Sequence, residues 1–388
     1  MNPFENPYRP GAGTRPMVLA GRDSIISEAQ TLLAAVRAGA PQRSLMLYGL
    51  RGVGKTVLLN EVEAIAQGLG YEVEHLEMSE TDDFRRVMAK SARKVLLSIS
   101  TTENLKDKAR RALGILKAFS IVIPDGPELR IDVDAVIGSG DSGDLESDLV
   151  DLTVAVGEAA NEAAKPVCFL IDEVQYLNEQ AISGLIAASH RIAQKGTPVV
   201  FVCAGLPQVA ALVGKARSYS ERLFAFIEVG RLPEGPACEA LTGPALDKSI
   251  EYSAGAANLI LQETEGYPYF IQEYGKHTWN AAARSPITLE DAKNGCAKAL
   301  ESLDQGFFKV RIDRATESEK KFLQAMAGLG RGPYRMGDVA RKRRVKVTSL
   351  GPVRATLISK GFVYAPAHGL IEFTVPQFDQ FIRRHFGM

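Results

Sequence analysis

Cysteine is scarce in this sequence, and what there is does not pair. Cys168, Cys203, Cys238 and Cys296 are scattered through 388 residues without a CxxC spacing, and two of them stand inside apolar, strand-like runs. They read as buried, reduced thiols of a cytoplasmic protein. Net charge is missing as well. With 46 basic residues against 46 acidic ones, any affinity for nucleic acid has to come from a local basic patch. The longest uncharged run, near residues 196–214, is broken by Pro198, Gly205 and Pro207, so a membrane span is not expected. The opening MNPFENPYRPGAGTRP has no apolar core segment and reads as an arm or leader, not a secretory signal. Repeats and low-complexity tracts are also lacking. What is present is core material: 46% hydrophobic residues in a chain too long for one core to keep growing implies a globular protein of two or three domains.

Periodicity organises the chain into alternating elements. A helix is expected over 23–37, a strand over 44–48, a helix over 55–69 and a strand over 72–78. Helical patterns follow at 82–98 and 103–117. The alternating stretch FSIVIPDGPELRIDVDAV then predicts a hairpin insertion over 119–136, either a partner-binding device or a cover for a sheet edge. A glycine-rich loop, 138–144, precedes a helix at 145–164. Val167, Cys168, Phe169, Leu170 and Ile171 form an uninterrupted apolar run of the kind found in buried parallel strands, and 199–203 forms another. A weaker strand at 225–229 closes what reads as a doubly wound α/β layer. Helices alone are expected from 234 to 303. From 317 the order is helix, helix, helix, hairpin, helix.

Two motifs carry chemistry. Gly49-Leu50-Arg51-Gly52-Val53-Gly54-Lys55-Thr56 satisfies GxxxxGK[ST] between a strand and a helix. Its glycines let backbone N–H groups converge on phosphates, Lys55 reaches the β and γ phosphates, and Thr56 offers its hydroxyl to Mg²⁺. Downstream, CFLIDE ends an apolar strand in Asp172 and Glu173. Asp172 is suited to the Mg²⁺ shell and Glu173 to polarising an attacking water, which favours ATP hydrolysis over phosphoryl transfer to a substrate. Asp141, Asp144 and Asp148 lack the terminal glutamate of a calcium loop, and no calcium site is expected there.

The order Gly21-Arg22-Asp23 before a helix, then GLRGVGKT, FLIDEVQYL, VVFVCAGLP and SERLF, resembles AAA+ ATPases of the initiator-like (origin-recognition-like) and STAND branches. The resemblance runs from about residue 17 to the C-terminus. It implies an α/β fold, a P-loop NTPase αβα sandwich over 17–233 after an arm at 1–16, then a helical lid over 234–305 and a winged-helix domain over 306–388. By the same resemblance residues 21–23 lie near the adenine. Arg222 takes the place of an arginine finger reaching a neighbouring subunit, which implies a nucleotide-dependent homo-oligomer. Gly266 and Pro268 resemble a GxP element that touches nucleotide from the lid; a helix stop followed by a helix start explains them equally. One departure is plain. Where related ATPases end a strand in a polar sensor, this chain has Cys203, Ala204 and Gly205, which points to slow turnover.

The pattern of 316–388 is itself that of a winged helix, whose third helix, with Ser349, Arg354, Thr356 and Lys360, would face the major groove of duplex DNA. The run Arg341-Lys342-Arg343-Arg344-Val345-Lys346 is placed to meet phosphates, although basic residues also favour helix ends through the helix dipole. Three functions stay open on the sequence: a DNA-associated AAA+ ATPase, a STAND-type switch acting on a protein partner, and a nucleotide-binding scaffold with little turnover.

Overall fold

Parallel pairing of five short strands organises the chain from Ser44 to Glu228. The computed structural model describes residues 1–40, 42–100, 107–122, 133–216 and 223–388. Its chain divides into two units, one of Ser24–Tyr48 with Leu58–Glu228, the other of Met1–Asp23, Gly49–Val57 and Val229–Met388.

In the first unit β1 (Ser44–Tyr48), β2 (Glu72–Glu77), β3 (Val167–Asp172), β4 (Val199–Gly205) and β5 (Phe224–Glu228) form one parallel sheet in the order β2-β3-β4-β1-β5. Strands β3 and β4 are buried at every residue, as their continuous apolar sequences require of strands covered on both faces. Their register sets Phe169 opposite Phe201, and the two rings stack with centroids 5.6 Å apart. The helices α1 (Asp23–Arg37), α2 (Lys55–Gly68), α3 (Phe84–Ile99), α4 (Asp107–Ile121), α5 (Leu145–Ala163), α6 (Glu179–Lys195) and α7 (Gln208–Ala216) accompany it. Asp83, Asp144 and Asn178 cap α3, α5 and α6 by accepting hydrogen bonds from first-turn N–H groups.

The expected hairpin over 119–136 is not what its described ends show. Phe119 and Ile121 are the last turn of α4, because Phe119 continues the buried face of Ala112, Ile115 and Leu116, and the Arg85 guanidinium lies 4.8 Å from its ring centroid. Residues 123–132 lie outside the described residues. Beyond them the chain returns to α4 without forming a strand: Val136 donates its N–H to Gly114 O, and Lys117 Nζ donates to Val133 O. The loop at 138–144 has a structural task. Asp148, 1% exposed, pairs with Arg85 at 2.8 Å and accepts from Ser142 N, Ser142 Oγ and Gly143 N, so a buried charge is fully hydrogen-bonded.

The second unit contains α8 (Glu234–Leu246), α9 (Ala254–Thr264), α10 (Pro268–Ala281), α11 (Leu289–Ser302), a π-helical turn (Leu303–Phe308) and α12 (Lys309–Asp313). The N-terminal residues are an ordered arm on these helices. Tyr8 is buried and donates its hydroxyl to Leu241 O, while Trp279 Nε1 donates to Asn2 O. The chain ends with α13 (Glu317–Ala327), β6 (Tyr334–Arg335), α14 (Met336–Arg343), α15 (Gly351–Ser359), β7 (Val363–Tyr364), β8 (Leu370–Phe373) and α16 (Phe378–Phe386). Their strands pair antiparallel in the order β6-β8-β7. Phe308 stacks on Phe378 and Phe381 at 5.9 and 5.3 Å, so the helices up to α12 and the last segment share one aromatic core.

Candidate functional site

Strand β1 ends at Tyr48, and the chain turns through residues 49–54 before α2 begins at Lys55. Gly52 and Gly54 take φ of +81° and +94°, a region that side-chain-bearing residues rarely adopt, so the turn needs glycine at both places. Lys55 is 8% exposed, with Nζ donating to Gly49 O at 3.0 Å and Leu50 O at 2.9 Å. The ammonium is thereby folded back over its own loop. Thr56 follows as the second residue of α2, and the N–H groups at a helix N-terminus favour a bound anion.

Three further segments of the second unit are tied to this loop. Arg22, buried, donates through one terminal nitrogen to Val53 O at 3.0 Å and Gly230 O at 2.6 Å. Burial lowers its pKa from the ordinary arginine value. Tyr269, in the first turn of α10, donates its N–H to Gly52 O at 3.1 Å, and Arg51 donates its own N–H to Thr374 O at 3.0 Å, just past β8. Gly266 and Pro268 immediately precede Tyr269: Gly266 O accepts from Leu232 N, and Pro268 opens α10. Sequence reasoning selected Gly266 and Pro268 but missed Tyr269 and Thr374, whose link to the loop is a backbone hydrogen bond and leaves no mark in side-chain type.

In the first unit, Asp172 is the last residue of β3 and 3% exposed. Its Oδ1 accepts from Glu173 N at 2.8 Å. Glu173 adopts φ 56° and ψ 38°, an uncommon backbone for a residue with a side chain. The C-terminal ends of β1 and β3 lie on the same edge of the parallel sheet with β4 between them. Gln175 links Glu173 to the end of β4: its Nε2 donates to Glu173 Oε2, and its Oε1 accepts from Leu206 N at 2.9 Å. The sequence signal for it was available, a lone amide in FLIDEVQYL between Val174 and Tyr176.

No group of three or more His, Cys, Asp or Glu suited to a metal occurs among the described residues. Thr56 offers a hydroxyl at the start of α2 and Asp172 a carboxylate at the end of β3, each an oxygen of the kind Mg²⁺ takes. Mg²⁺ commonly takes one or two protein oxygens and completes its shell with phosphate and water. Arg222 lies outside the described residues. Of the basic residues, Arg341, Lys342, Arg344 and Lys346 are exposed, and Arg343 and Arg354 are half-buried. Arg341 pairs with Asp338 at 3.2 Å. Lys360, partly exposed, has its Nζ bound to the buried Glu319 at 2.9 Å.

Residues 18–202 match the AAA ATPase domain family. The parallel five-stranded sheet with its flanking helices is the α/β class that the sequence led one to expect. Residues 305–382 match a separate family described as a domain of unknown function, DUF8462. Among solved structures the chain is similar to the Walker-type ATPase of Pyrococcus abyssi, with 11% identity, 97% of this chain and 98% of that one covered, and a TM-score of 0.60. It is also similar to the Thermotoga maritima RuvB Holliday junction branch migration motor (15% identity, 96% and 98% covered, TM-score 0.46). A third is the Aeropyrum pernix Orc1 protein in complex with DNA (13%, 95% and 94%, 0.47). At 11% identity the likeness to the first is one of fold alone. No protein of curated function matches by sequence. Among the described residues no helix is long and apolar enough to cross a membrane.

Proposed function

We propose that this chain binds Mg-ATP at residues 49–56 of its AAA ATPase domain and hydrolyses it slowly, using the cycle to switch conformation or assembly. The observation that carries this reading is the loop of Lys55, tied by a backbone hydrogen bond to the first turn of α10, in a chain whose β3 ends at Asp172 with Glu173 next. Lys55 supplies charge to the β and γ phosphates, Thr56 and Asp172 hold Mg²⁺, and Glu173 takes a proton from the attacking water. Gly266 and Pro268 set the turn that delivers Tyr269 to the loop. The decisive measurement is phosphate release by the wild type, Lys55→Ala and Glu173→Gln proteins. The expected pattern is release in the wild type, loss of binding in Lys55→Ala, and retained binding without release in Glu173→Gln. Release unchanged in Glu173→Gln would sink the reading.

For output we propose duplex DNA, met by 306–388 acting as a winged helix, with Arg341, Lys342, Arg343, Arg344, Lys346 and Arg354 contacting phosphates, and a homo-oligomer completed by Arg222. A second reading has its own support. The hydrogen bond from Arg51 N to Thr374 O joins the phosphate loop to the last segment, as a STAND-type switch acting on a protein partner would require. A salt series separates the two. Duplex affinity that falls with salt, and falls again in Arg343→Glu with Arg344→Glu, supports DNA; no affinity near physiological salt supports the switch.

A further inference from the structure

Gln175 sits in the single 3-10 turn Val174–Tyr176 that follows Glu173. Both ends of its amide are engaged, Oε1 by Leu206 N at 2.9 Å and Nε2 by Glu173 Oε2. The orientation follows from donor chemistry. A backbone N–H must meet the amide oxygen and a carboxylate oxygen is best met by the amide nitrogen, so a flipped amide would set donor against donor and acceptor against acceptor.

The neighbouring strand end explains why this amide stands here. Strand β4 finishes in Cys203-Ala204-Gly205, without a hydroxyl, amide or charged side chain. A Cβ on Gly205 would lie 2.6 Å from Val209 Cγ2, 2.8 Å from Val174 Cγ2 and 3.0 Å from Gln175 Oε1. No side chain fits at Gly205 while Gln175 keeps its place. Cys203 and Ala204 are buried, and burial raises the Cys203 thiol well above the ordinary range. The polar group at this strand end therefore comes from the turn after β3.

We propose that Gln175 is the positioning residue for Glu173, a role that rests on the ATPase reading above. It anchors the carboxylate to the end of β4 and orients it toward the water. In the step itself the water oxygen bonds to the γ phosphorus, its proton passes to Glu173, and the bond from that phosphorus to the bridging oxygen breaks as ADP leaves. Gln175 exchanges no proton.

The test compares Gln175→Glu and Gln175→Leu with the wild type, reading kcat for phosphate release and affinity with a fluorescent ATP analogue. Gln175→Glu keeps an acceptor for Leu206 N but removes the donor and sets a second carboxylate against Glu173. The expected result is kcat lower by roughly 10- to 100-fold with affinity within about twofold, since small misplacements of a reacting group cost that much. Gln175→Leu, which removes both hydrogen bonds, is expected to lose kcat to a similar extent with affinity retained. Wild-type kcat in Gln175→Glu, or a loss of affinity equal to the loss of kcat, overturns the proposal and leaves Gln175 a structural tie. A wild type with no Glu173-dependent phosphate release overturns the ATPase reading, and this inference with it.

Discussion

Arg22 shows how a single residue converts sequence into a working loop. Its guanidinium donates to two backbone carbonyls, Val53 O inside the phosphate loop and Gly230 O just after β5, from a site 7% exposed. Removing it leaves a buried acceptor, Val53 O, and a part-buried one, Gly230 O, without their donor. A charged hydrogen bond contributes about 1.5–3 kcal/mol, so Arg22→Ala is expected to lower the thermal midpoint by several degrees and to weaken ATP binding at least tenfold. Calorimetry and a nucleotide titration check both. Arg22→Lys is expected to recover little of either, because an ammonium on a flexible stem does not reproduce the planar fork. The sequence pointed to this residue by resemblance, near the adenine; the structure gives it a definite bond to the loop. Glu173 is the opposite case. Its identity was legible, but its left-handed backbone and its link to Gln175 depend on where β3 and β4 end, which no local pattern records.

Helix α13 illustrates what an element adds. Thr316 and Glu319 form a capping box: Thr316 Oγ1 accepts from Glu319 N, and Glu319 accepts from Thr316 N. Thr316→Ala is expected to cost about 1 kcal/mol of stability, read from denaturant unfolding. Burial alone would raise the Glu319 pKa, yet the Thr316 N–H and the Lys360 ammonium outweigh it, and the net shift is downward from 4.5. A carboxylate depressed in the folded state contributes stability that is complete above its unfolded pKa and lost as pH falls through its folded pKa. The thermal midpoint is therefore expected to drop below about pH 4.5, and Glu319→Gln, already less stable at neutral pH, to drop less. Because Lys360 serves this pair, Lys360→Met is expected to lower stability while leaving any DNA salt dependence unchanged, in contrast to Arg344→Glu. Elements with strong periodicity were legible in advance: α1 and β1 have the expected bounds, and β3 and β4 are lengthened only at their C-terminal ends. Two-residue β6 was not, since so short a strand has no alternation to read. The far end of α4 failed for a different reason. FSIVI alternates well enough for a strand, but the buried face of α4 claims Phe119 first.

At the scale of the whole molecule, the chain divides into two units, and Gly49–Val57 falls with Met1–Asp23 and Val229–Met388 although it is joined directly to β1. Two units invite two unfolding transitions, so a single midpoint need not describe the protein. Ligand binding sorts them. A ligand that binds only the folded form stabilises it by RT ln(1 + [L]/Kd), about 2.7 kcal/mol at a hundredfold excess over Kd. For a unit in the range of 150–250 residues that moves the midpoint by roughly 5–10 °C. Mg-ATP is therefore expected to raise the transition of the unit that carries Lys55, measured by scanning calorimetry. The shift should vanish in Lys55→Ala and persist in Glu173→Gln, because the glutamate acts on the water and not on the affinity. A shift of the same size in Lys55→Ala would mean that the nucleotide stabilises the chain from somewhere other than residues 49–56.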